Sequence, residues 1–406
     1  MTVLPRPAWS PWRTVVGFGV VSLAADMVYE GARSITGPYL ASLGATALVV
    51  GLVTGAGEGA ALVLRLVSGP WADRSGRYWA LTITGYALTA VCVPLMALAP
   101  HVGGAGLVLA CALLLLERTG KAVRSPAKSA LLARAAVQVG RGRGFAVHKA
   151  LDQVGAFAGP LLVAATVAAA GAVWAGFALL AVPGLLTMVL LGWLRARAPL
   201  AHADDDHDAA AAPAAPAAPT VPRHPTRARL PHRFYVFAAS SAASTLGLMT
   251  FGVISFHLAD SGLLATAAVP LVYAAAMAAA ALAALATGFA YDRVGARVLL
   301  SLPFLVAAVP ALALSGERWV AVTGVLLWGA ATGVKDSTVK ALVADLVPSG
   351  TLATAYGVFA AFEGAAALAG GALAGWLYSG GRADLVAVLV ACQAASLALL
   401  VAVLRR

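Results

Sequence analysis

Long apolar runs constrain the fold of this chain more than any other feature. A helix of about 20 mostly apolar residues crosses the hydrocarbon of a bilayer, and by that measure we read twelve such segments in the sequence. Only 11% of the residues are charged, whereas a soluble domain has roughly 25%. A soluble enzyme or nucleic-acid-binding protein of this composition would lack polar surface. The runs also lack the alternation of an outer-membrane barrel, so the sequence predicts an all-α membrane protein.

The twelve predicted spans fall into two sets of six. The first set covers 14–40, 47–69, 79–99, 104–126, 143–168 and 172–194, and the second covers 233–259, 267–290, 298–315, 319–346, 352–378 and 384–404. Between the sets, Ala/Pro repeats, an acidic cluster and a basic tail make a composition that cannot bury a core and is typical of a disordered linker. We therefore predict an N-terminal six-helix half at 1–195, a cytoplasmic linker at 196–232 and a C-terminal half at 233–406.

The distribution of arginine and lysine predicts the orientation. Basic residues gather in the tails, the linker and the loops on one side, and only Arg318 and Arg382 fall in loops on the other. By the positive-inside rule both termini and the linker are cytoplasmic. We expect a multi-pass protein of the inner membrane, and the net charge of +11 then reflects this bias rather than a nucleic-acid partner.

Three features recur in the same order in both halves. The loop at 69–78 recurs at 288–297, the segment 125–133 at 337–344, and the segment 145–160 at 356–371. The third match places Asp152 over Glu363. Such ordered self-similarity indicates an internal duplication, so the two six-helix halves are expected to be pseudo-symmetric.

Two six-span halves, a charged linker and the loop GPWADRSGRY after span 2 resemble the major facilitator superfamily of secondary transporters. The resemblance covers the whole chain and implies alternating access around a central site. It also implies that Asp73, pairing with Arg74 or Arg77, helps to latch the cytoplasmic side, where Gly69 permits close helix approach. The second copy has Ala296 in place of Arg77 and should latch less strongly. The predicted latch residues are Gly69, Asp73, Arg74, Gly76, Arg77, Asp292 and Arg293.

Span 5 contains GAFAGP, which resembles the GxxxGP part of a motif of drug/proton antiporters. This resemblance implies export in exchange for protons and singles out Gly155, Gly159 and Pro160. The other reading is a helix-packing face of small residues, and both can hold. The run 118–133, followed by HKALD, resembles a bacterial efflux-permease branch of the same superfamily and leaves the cargo open.

Carboxylates inside the predicted spans are candidate proton-coupling groups, because a charge at the bilayer centre costs about 2.5–3.5 kcal/mol on insertion scales. In span 1 a charged stripe either pairs internally or serves coupling. Asp152 and Glu363 lie at matching depth in matching helices, which suits a binding site at the repeat interface. The predicted proton-coupling group is Asp26, Glu30, Asp152, Glu363 and His148.

Spans 4 and 10 carry the cations. The stripe of span 4 is expected to hold an anionic substrate group or to neutralise Asp26 or Asp152, while Lys128 is expected at the solvated cytoplasmic edge. In span 10, Asp336 and Lys340 are spaced i, i+4, which either supports the helix or joins the site. The predicted substrate-binding or counter-charge residues are Arg118, Lys121, Arg124, Lys335 and Asp336.

Together these features predict a proton-coupled secondary transporter that exports a drug-like molecule or a metabolite. The alternatives are a proton symporter that takes up an anionic metabolite, and a membrane sensor or scaffold that transports nothing. The sequence contains no P-loop, nucleophile elbow or metal-ligand spacing, so no enzyme activity, cofactor or metal is predicted. The expected partners are the small-molecule substrate, protons and the lipid bilayer, and we expect a monomer.

Overall fold

The computed structural model of the protein describes residues 9–198, 230–348 and 351–405. Within these ranges the chain forms fifteen α-helices joined by short loops and 3₁₀ turns, with no strand. Most of the predicted linker, 196–232, lies outside the described residues.

The helices of the N-terminal half run between the first residue described and the linker. They are α1 (Pro11–Ser42), α2 (Ala47–Val63), α3 (Arg65–Ser75), α4 (Tyr78–Leu95), α5 (Gly106–Ala135), α6 (Arg141–Ala170), α7 (Val173–Leu179) and α8 (Ala181–Arg197). Helices α2 and α3 follow end to end and form one crossing, 47–75, and α7 and α8 form another, 173–197.

The helices of the C-terminal half follow the linker in a similar order. They are α9 (His232–Gly247), α10 (Phe251–Asp260), α11 (Val269–Val294), α12 (Ser301–Ala313), α13 (Arg318–Leu346), α14 (Leu352–Gly380) and α15 (Arg382–Leu404). Helices α9 and α10 form a single crossing, 232–260.

The ends of the helices follow from local sequence. Ser10 caps α1, where its side-chain oxygen accepts from the backbone N–H of Arg13 at 3.4 Å and Pro11 takes the first helical position. Gly76 ends α3 with a φ of 65°, a left-handed conformation that glycine adopts without steric cost.

The number of crossings follows from length and polarity. Among the described residues, nine helical segments are long and apolar enough to cross a membrane. One of them, Thr266–Ala313, has 48 residues and breaks at Gly295 (φ 65°), so it supplies two crossings. Helices α5 and α13 have 30 and 29 residues and fall outside the nine because they carry many charges. The described chain thus crosses twelve times, and the predicted all-α membrane fold is confirmed.

The two halves meet where α2 and α14 cross, along glycines. A Cβ atom at Gly55 would lie 2.7 Å from the carbonyl oxygen of Ala367, and one at Gly59 would lie 2.7 Å from that of Gly364. A Cβ at Gly371 would come closer still to α2. Small residues let helix backbones approach each other closely in a membrane. We call this contact between the backbones of α2 and α14 the glycine seam.

Each half has two apolar clusters. We call the side of the chain termini the inner side and the opposite side the outer side. In the N-terminal half, Phe18, Trp79 and Leu194 belong to the inner cluster, and Tyr39 and Phe177 belong to the outer one. The C-terminal half repeats the arrangement.

Candidate functional site

Ion pairs join three helices of the N-terminal half at mid-depth. Arg118 of α5, only 5% exposed, lies 3.7 Å from Glu58 of α2 and 3.6 Å from Glu117 of its own helix. Glu58 lies 3.2 Å from Arg33 of α1, and Arg33 lies 3.8 Å from Glu30. Buried charges are tolerated when they are paired, so this network holds α1, α2 and α5 in register.

Arg124, predicted as a binding or counter-charge residue, is held by helix α4. Its guanidinium donates to the hydroxyl of Thr89 at 2.6 Å, and Thr89 donates to Glu117 at 3.2 Å. The guanidinium also lies 4.6 Å from the ring centre of Tyr86. Because Arg124 is 4% exposed, the structure places it in the packed wall behind the site.

The ring of Tyr29 lies beneath two predicted binding residues. The Arg118 guanidinium lies 4.3 Å from its centre, and the Lys121 ammonium lies 3.4 Å from it. Lys121 is half-buried and forms no ion pair with a carboxylate in the described part of the chain. The cation–π geometry is favourable, and sequence reasoning missed Tyr29 because a buried aromatic residue in a span is ordinarily core.

Lys128 lies inside the bundle, and the expectation of a solvated edge position is wrong. Its ammonium donates to Ser22 of α1 at 2.9 Å, and it is half-buried. The reason is that α5 continues to Ala135, well past the predicted end of span 4. Lys128 therefore lies two turns before the end of the helix, and within electrostatic range of Asp26.

Helix α6 brings the span-5 candidates against α1. His148 Nδ1 lies 3.6 Å from Asp152, as their one-turn spacing predicted. Gly155 and Gly159 lie directly on the backbone of α1, where added Cβ atoms would meet main-chain atoms of Leu23 and Met27. Asp152 and Asp26 thereby come within electrostatic range of each other. Pro160 follows inside α6.

A second charged cluster lies in the C-terminal half. The Lys335 ammonium of α13 lies 2.6 Å from Glu363 of α14, and Thr245 of α9 donates to the same carboxylate oxygen at 2.7 Å. Lys335 also donates to the Thr245 hydroxyl. Glu363 is 5% exposed, and its other oxygen, Oε1, has no hydrogen-bond partner among the described residues. The structure thus brings together Lys335, predicted as a substrate-binding or counter-charge residue, and Glu363, predicted as a proton-coupling group.

The two charged clusters lie within electrostatic range of each other, although they belong to different halves. Lys335 lies within electrostatic range of Glu58. Asp336 is exposed and lies within electrostatic range of Arg33 and Arg65 in the other half. Lys335 and Asp336 therefore both lie near charged groups of the N-terminal half, as a binding site between repeats requires.

On the outer side of these clusters, hydrogen bonds connect the two halves. The Tyr273 hydroxyl of α11 donates to Glu30, and the hydroxyls of Thr54 and Thr250 lie 2.8 Å apart. Beside them is a cavity of about 10 Å³, lined in part by Arg33 and Arg118, which is room for one water molecule. Sequence reasoning missed these cross-half bonds because hydroxyl side chains are common in spans.

The predicted latch loop has a different partner from the one expected. Asp73 accepts a hydrogen bond from the Tyr78 hydroxyl at 3.0 Å, whereas Arg74 and Arg77 are exposed and make no ion pair with it in the part described. Tyr78 is favoured because it begins α4 directly after the turn. A Cβ at Gly69 would meet nothing closer than 3.9 Å, so close helix approach does not require that glycine.

The remaining latch residues differ in their placement. Gly76 forms the left-handed turn that ends α3. In the second copy, Asp292 and Arg293 are both exposed, and the neighbouring Tyr291 donates to Asp345 at 2.6 Å. A tyrosine–aspartate hydrogen bond therefore occurs beside the loop in each half.

Tyr78→Phe and Asp73→Asn should both shift the protein toward a more open inner side, because the first removes the Asp73–Tyr78 hydrogen bond and the second takes away its charge. If the Asp73–Tyr78 hydrogen bond helps to close the inner side, losing about 0.5–1.5 kcal/mol opens it about 2- to 12-fold more often. Labelling of a cysteine at Ala146, an exposed residue on α6, measures this in a chain with Cys92, Cys111 and Cys392 replaced by serine. Tyr235→Phe is the matched control. Labelling that changes in neither variant would remove this loop from the latch.

Comparisons with known proteins agree with this architecture. The family model of the Major Facilitator Superfamily matches residues 18–283. Uncharacterized proteins of Mycobacterium tuberculosis strain H37Rv and Mycobacterium bovis strain AF2122/97 are 53% identical over 402 residues, which cover 98% of this chain and 94% of each relative.

Solved structures share the fold at low sequence identity. The nucleoside transporter NupG matches with a TM-score of 0.66 and 14% identity, over 97% of this chain and 98% of that one. A mutant of the peptide transporter POT in complex with alafosfalin matches with a TM-score of 0.71 and 16% identity, over 100% and 95%. An inward-facing bacterial homologue of the human lysosomal transporter Spinster matches with a TM-score of 0.67 and 14% identity, over 97% and 95%. With the family model covering more than half of its length, this chain belongs to the Major Facilitator Superfamily and is a membrane transporter rather than an enzyme.

Proposed function

We propose that this secondary transporter couples the movement of a small molecule to protons, with Glu363 as the main proton-accepting group. The observation that carries the proposal is the Glu363–Lys335 pair at 2.6 Å, in which one carboxylate oxygen is left without a hydrogen-bond partner in the described chain. When Glu363 takes up a proton, Lys335 loses its counter-charge. Because Glu58 of the other half is within electrostatic range, the ammonium of Lys335 then interacts more strongly with the N-terminal half.

Asp26 and Asp152 form the second proton site of the proposal. These carboxylates of α1 and α6 lie within electrostatic range of each other, and their mutual repulsion is relieved when one of them binds a proton. His148, 3.6 Å from Asp152, offers a nitrogen that can relay that proton. Glu30 has a different role, because it accepts a hydrogen bond from the hydroxyl of Tyr273 in the other half. Protonation of Glu30 would therefore affect how firmly the outer side is closed.

Alternating access follows from the same contacts. In the proposal, 1–195 and 233–406 rock as units about the glycine seam, while 196–232 tethers them on the cytoplasmic side. The bonds broken on opening the outer side are Tyr273–Glu30 and Thr54–Thr250. The bias of basic residues supports an inner-membrane protein with both termini in the cytoplasm, and we propose that it acts as a monomer.

Export is the first candidate for the direction of transport. It rests on the efflux-like motif GAFAGP, whose glycines hold α6 on the backbone of α1. Asp26 of α1 and Asp152 of α6 lie within electrostatic range of each other, so a proton bound by either one changes the charge between these two helices. In such an exchanger the cargo and the proton compete, and a drug-like molecule or metabolite leaves as a proton enters.

Uptake of an organic anion together with protons is the second candidate. Lys121 and Lys128 are half-buried ammonium groups that form no ion pair with a described carboxylate. Ionised Asp26 lies in electrostatic range of both and competes with an anionic cargo for them. Protonated Asp26 releases them, so proton and anion bind together and move in the same direction.

The sign of cargo-induced proton flow distinguishes the candidates. Purified protein is reconstituted in vesicles containing a pH-sensitive dye, and a panel of small carboxylates and organic cations is added outside. An exchanger makes the vesicle interior alkaline as the compound enters, whereas a symporter makes it acidic. If folded protein moves panel compounds without any change of pH, proton coupling is wrong. If it moves neither compounds nor protons, the proposed transport function fails.

Lys121→Gln should raise the concentration of a transported carboxylate needed for half-maximal flux by about 10- to 150-fold, because a charge-assisted contact contributes about 1.5–3 kcal/mol. An organic cation should show no such rise. The matched control is Arg297→Gln, because Arg297 is an exposed cation of the C-terminal half. Equal carboxylate dependence in wild type and Lys121→Gln would remove Lys121 from the binding site.

A further inference from the structure

A groove of about 520 Å³ opens on the lipid-facing surface of the N-terminal half. It lies at the inner side, between the start of α1 and the end of α8. Trp9, Trp12 and Trp193 form its rim, and the rings of Trp9 and Trp193 meet edge to face at 4.7 Å. The floor continues toward the membrane centre along Val16 and Val20.

The groove has the two chemical zones of a phospholipid. Val16 and Val20 are exposed, at 41% and 37%, and present an apolar channel at the level of acyl chains. The tryptophans mark the interfacial level, where such rings are enriched. Arg13 is exposed among them, at the height where a lipid phosphate lies.

The charge around the groove selects the kind of headgroup. Among the described residues, no carboxylate lines it. Arg195 and Arg197 occupy the last turn of α8, and the backbone N–H of Trp9 donates to the Arg197 carbonyl at 3.2 Å, which holds the two helix ends together. Arg13 in the groove, with two further arginines in the adjoining helix turn, attracts the anionic lipids of the cytoplasmic leaflet.

We propose that this groove is a binding site for one anionic phospholipid of the inner leaflet. Its phosphate lies on Arg13, its glycerol region lies among the tryptophans, and one acyl chain follows Val16 and Val20. The lipid would clamp the start of α1 to the end of α8. Because α1 also carries Asp26 and Glu30, a lipid bound here would affect the position of a helix that belongs to the proposed proton site. This effect would not depend on which cargo is transported.

Native mass spectrometry of the full chain tests the site. Protein in dodecyl maltoside is titrated with phosphatidylglycerol or with phosphatidylcholine of the same acyl chains. The first phosphatidylglycerol should bind about fivefold more tightly, the equivalent of about 1 kcal/mol for one basic residue near the surface. Arg13→Gln should bring the two lipids to near parity. Arg297→Gln, an exposed arginine of the other half, should leave the preference unchanged.

A second measurement does not depend on the Arg13 variant. Phosphatidylglycerol with brominated acyl chains should quench part of the wild-type tryptophan fluorescence, and the variant with both Trp12→Phe and Trp193→Phe should lose that part. Raised salt should weaken the lipid preference of the wild type. Equal binding of both lipids to the wild type, an unchanged preference in Arg13→Gln, or quenching that survives the double replacement would overturn the proposal.

Discussion

Glutamine in place of Glu363 is expected to lower proton-driven transport about 5- to 150-fold, the range that corresponds to a coupling free energy of 1–3 kcal/mol. The carboxamide keeps the shape of the side chain and can still accept from Thr245, but it cannot ionise. Lys335 then keeps the same surroundings whatever the pH on either side. Exchange of labelled for unlabelled cargo at equal pH should continue, because it requires no net proton movement.

The pair of measurements separates coupling from folding. Proton-driven accumulation and equal-pH exchange are recorded on the same vesicle preparation. Asp384→Asn is the matched control, since Asp384 is an exposed acid at the start of α15 in the same half. Proton-driven accumulation that stays at the wild-type level in Glu363→Gln would remove Glu363 from the coupling site, even if the Lys335 pair stabilises the fold.

Leucine in place of Gly371 is expected to prevent the two halves from packing. A Cβ there would meet the carbonyl of Gly51 and would lie 2.8 Å from the Cα of Gly55. Since both are backbone atoms of α2, no side chain can rotate away, and α14 must move outward. Overpacking costs about 1–3 kcal/mol at one site and occasionally more, and here it also opens the adjacent contacts of the seam.

Heating followed by size-exclusion chromatography measures the loss. The fraction of monodisperse protein should fall at a lower temperature in Gly371→Leu than in the wild type, and cargo transport should be lost. Gly192→Leu provides the control, because nothing lies within 4 Å of a Cβ at that position of α8. If Gly371→Leu survived heating and transported as the wild type does, the seam would not be the contact about which the halves move.

The parts of this protein that the sequence predicts are those fixed within one helix. Apolar length alone predicted the crossings, because the bilayer imposes that length. The His148–Asp152 and Glu30–Arg33 contacts followed from one-turn spacing. The incorrect placement of Lys128 has the same origin, because α5 continues to Ala135, beyond the apolar run from which the end of span 4 was predicted.

Contacts between helices were beyond the sequence. Lys335 and Glu363 belong to different helices, and their pairing through Thr245 depends on how each helix is rotated, a property that packing decides. The partner of Asp73 was missed for a related reason: three candidates lie within five residues of it, and only the direction of the chain after Gly76 selects Tyr78. Charge patterns identify candidates but do not choose among neighbours.

The ring of Tyr29 gives Lys121 and Arg118 an attraction that does not titrate. A carboxylate loses its hold on a cation each time it is neutralised, whereas the face of a phenol ring is the same at every stage of a proton cycle. In the proposed proton cycle, the attraction of this ring for positive charge in the N-terminal half therefore stays constant while the charge of the neighbouring acids changes.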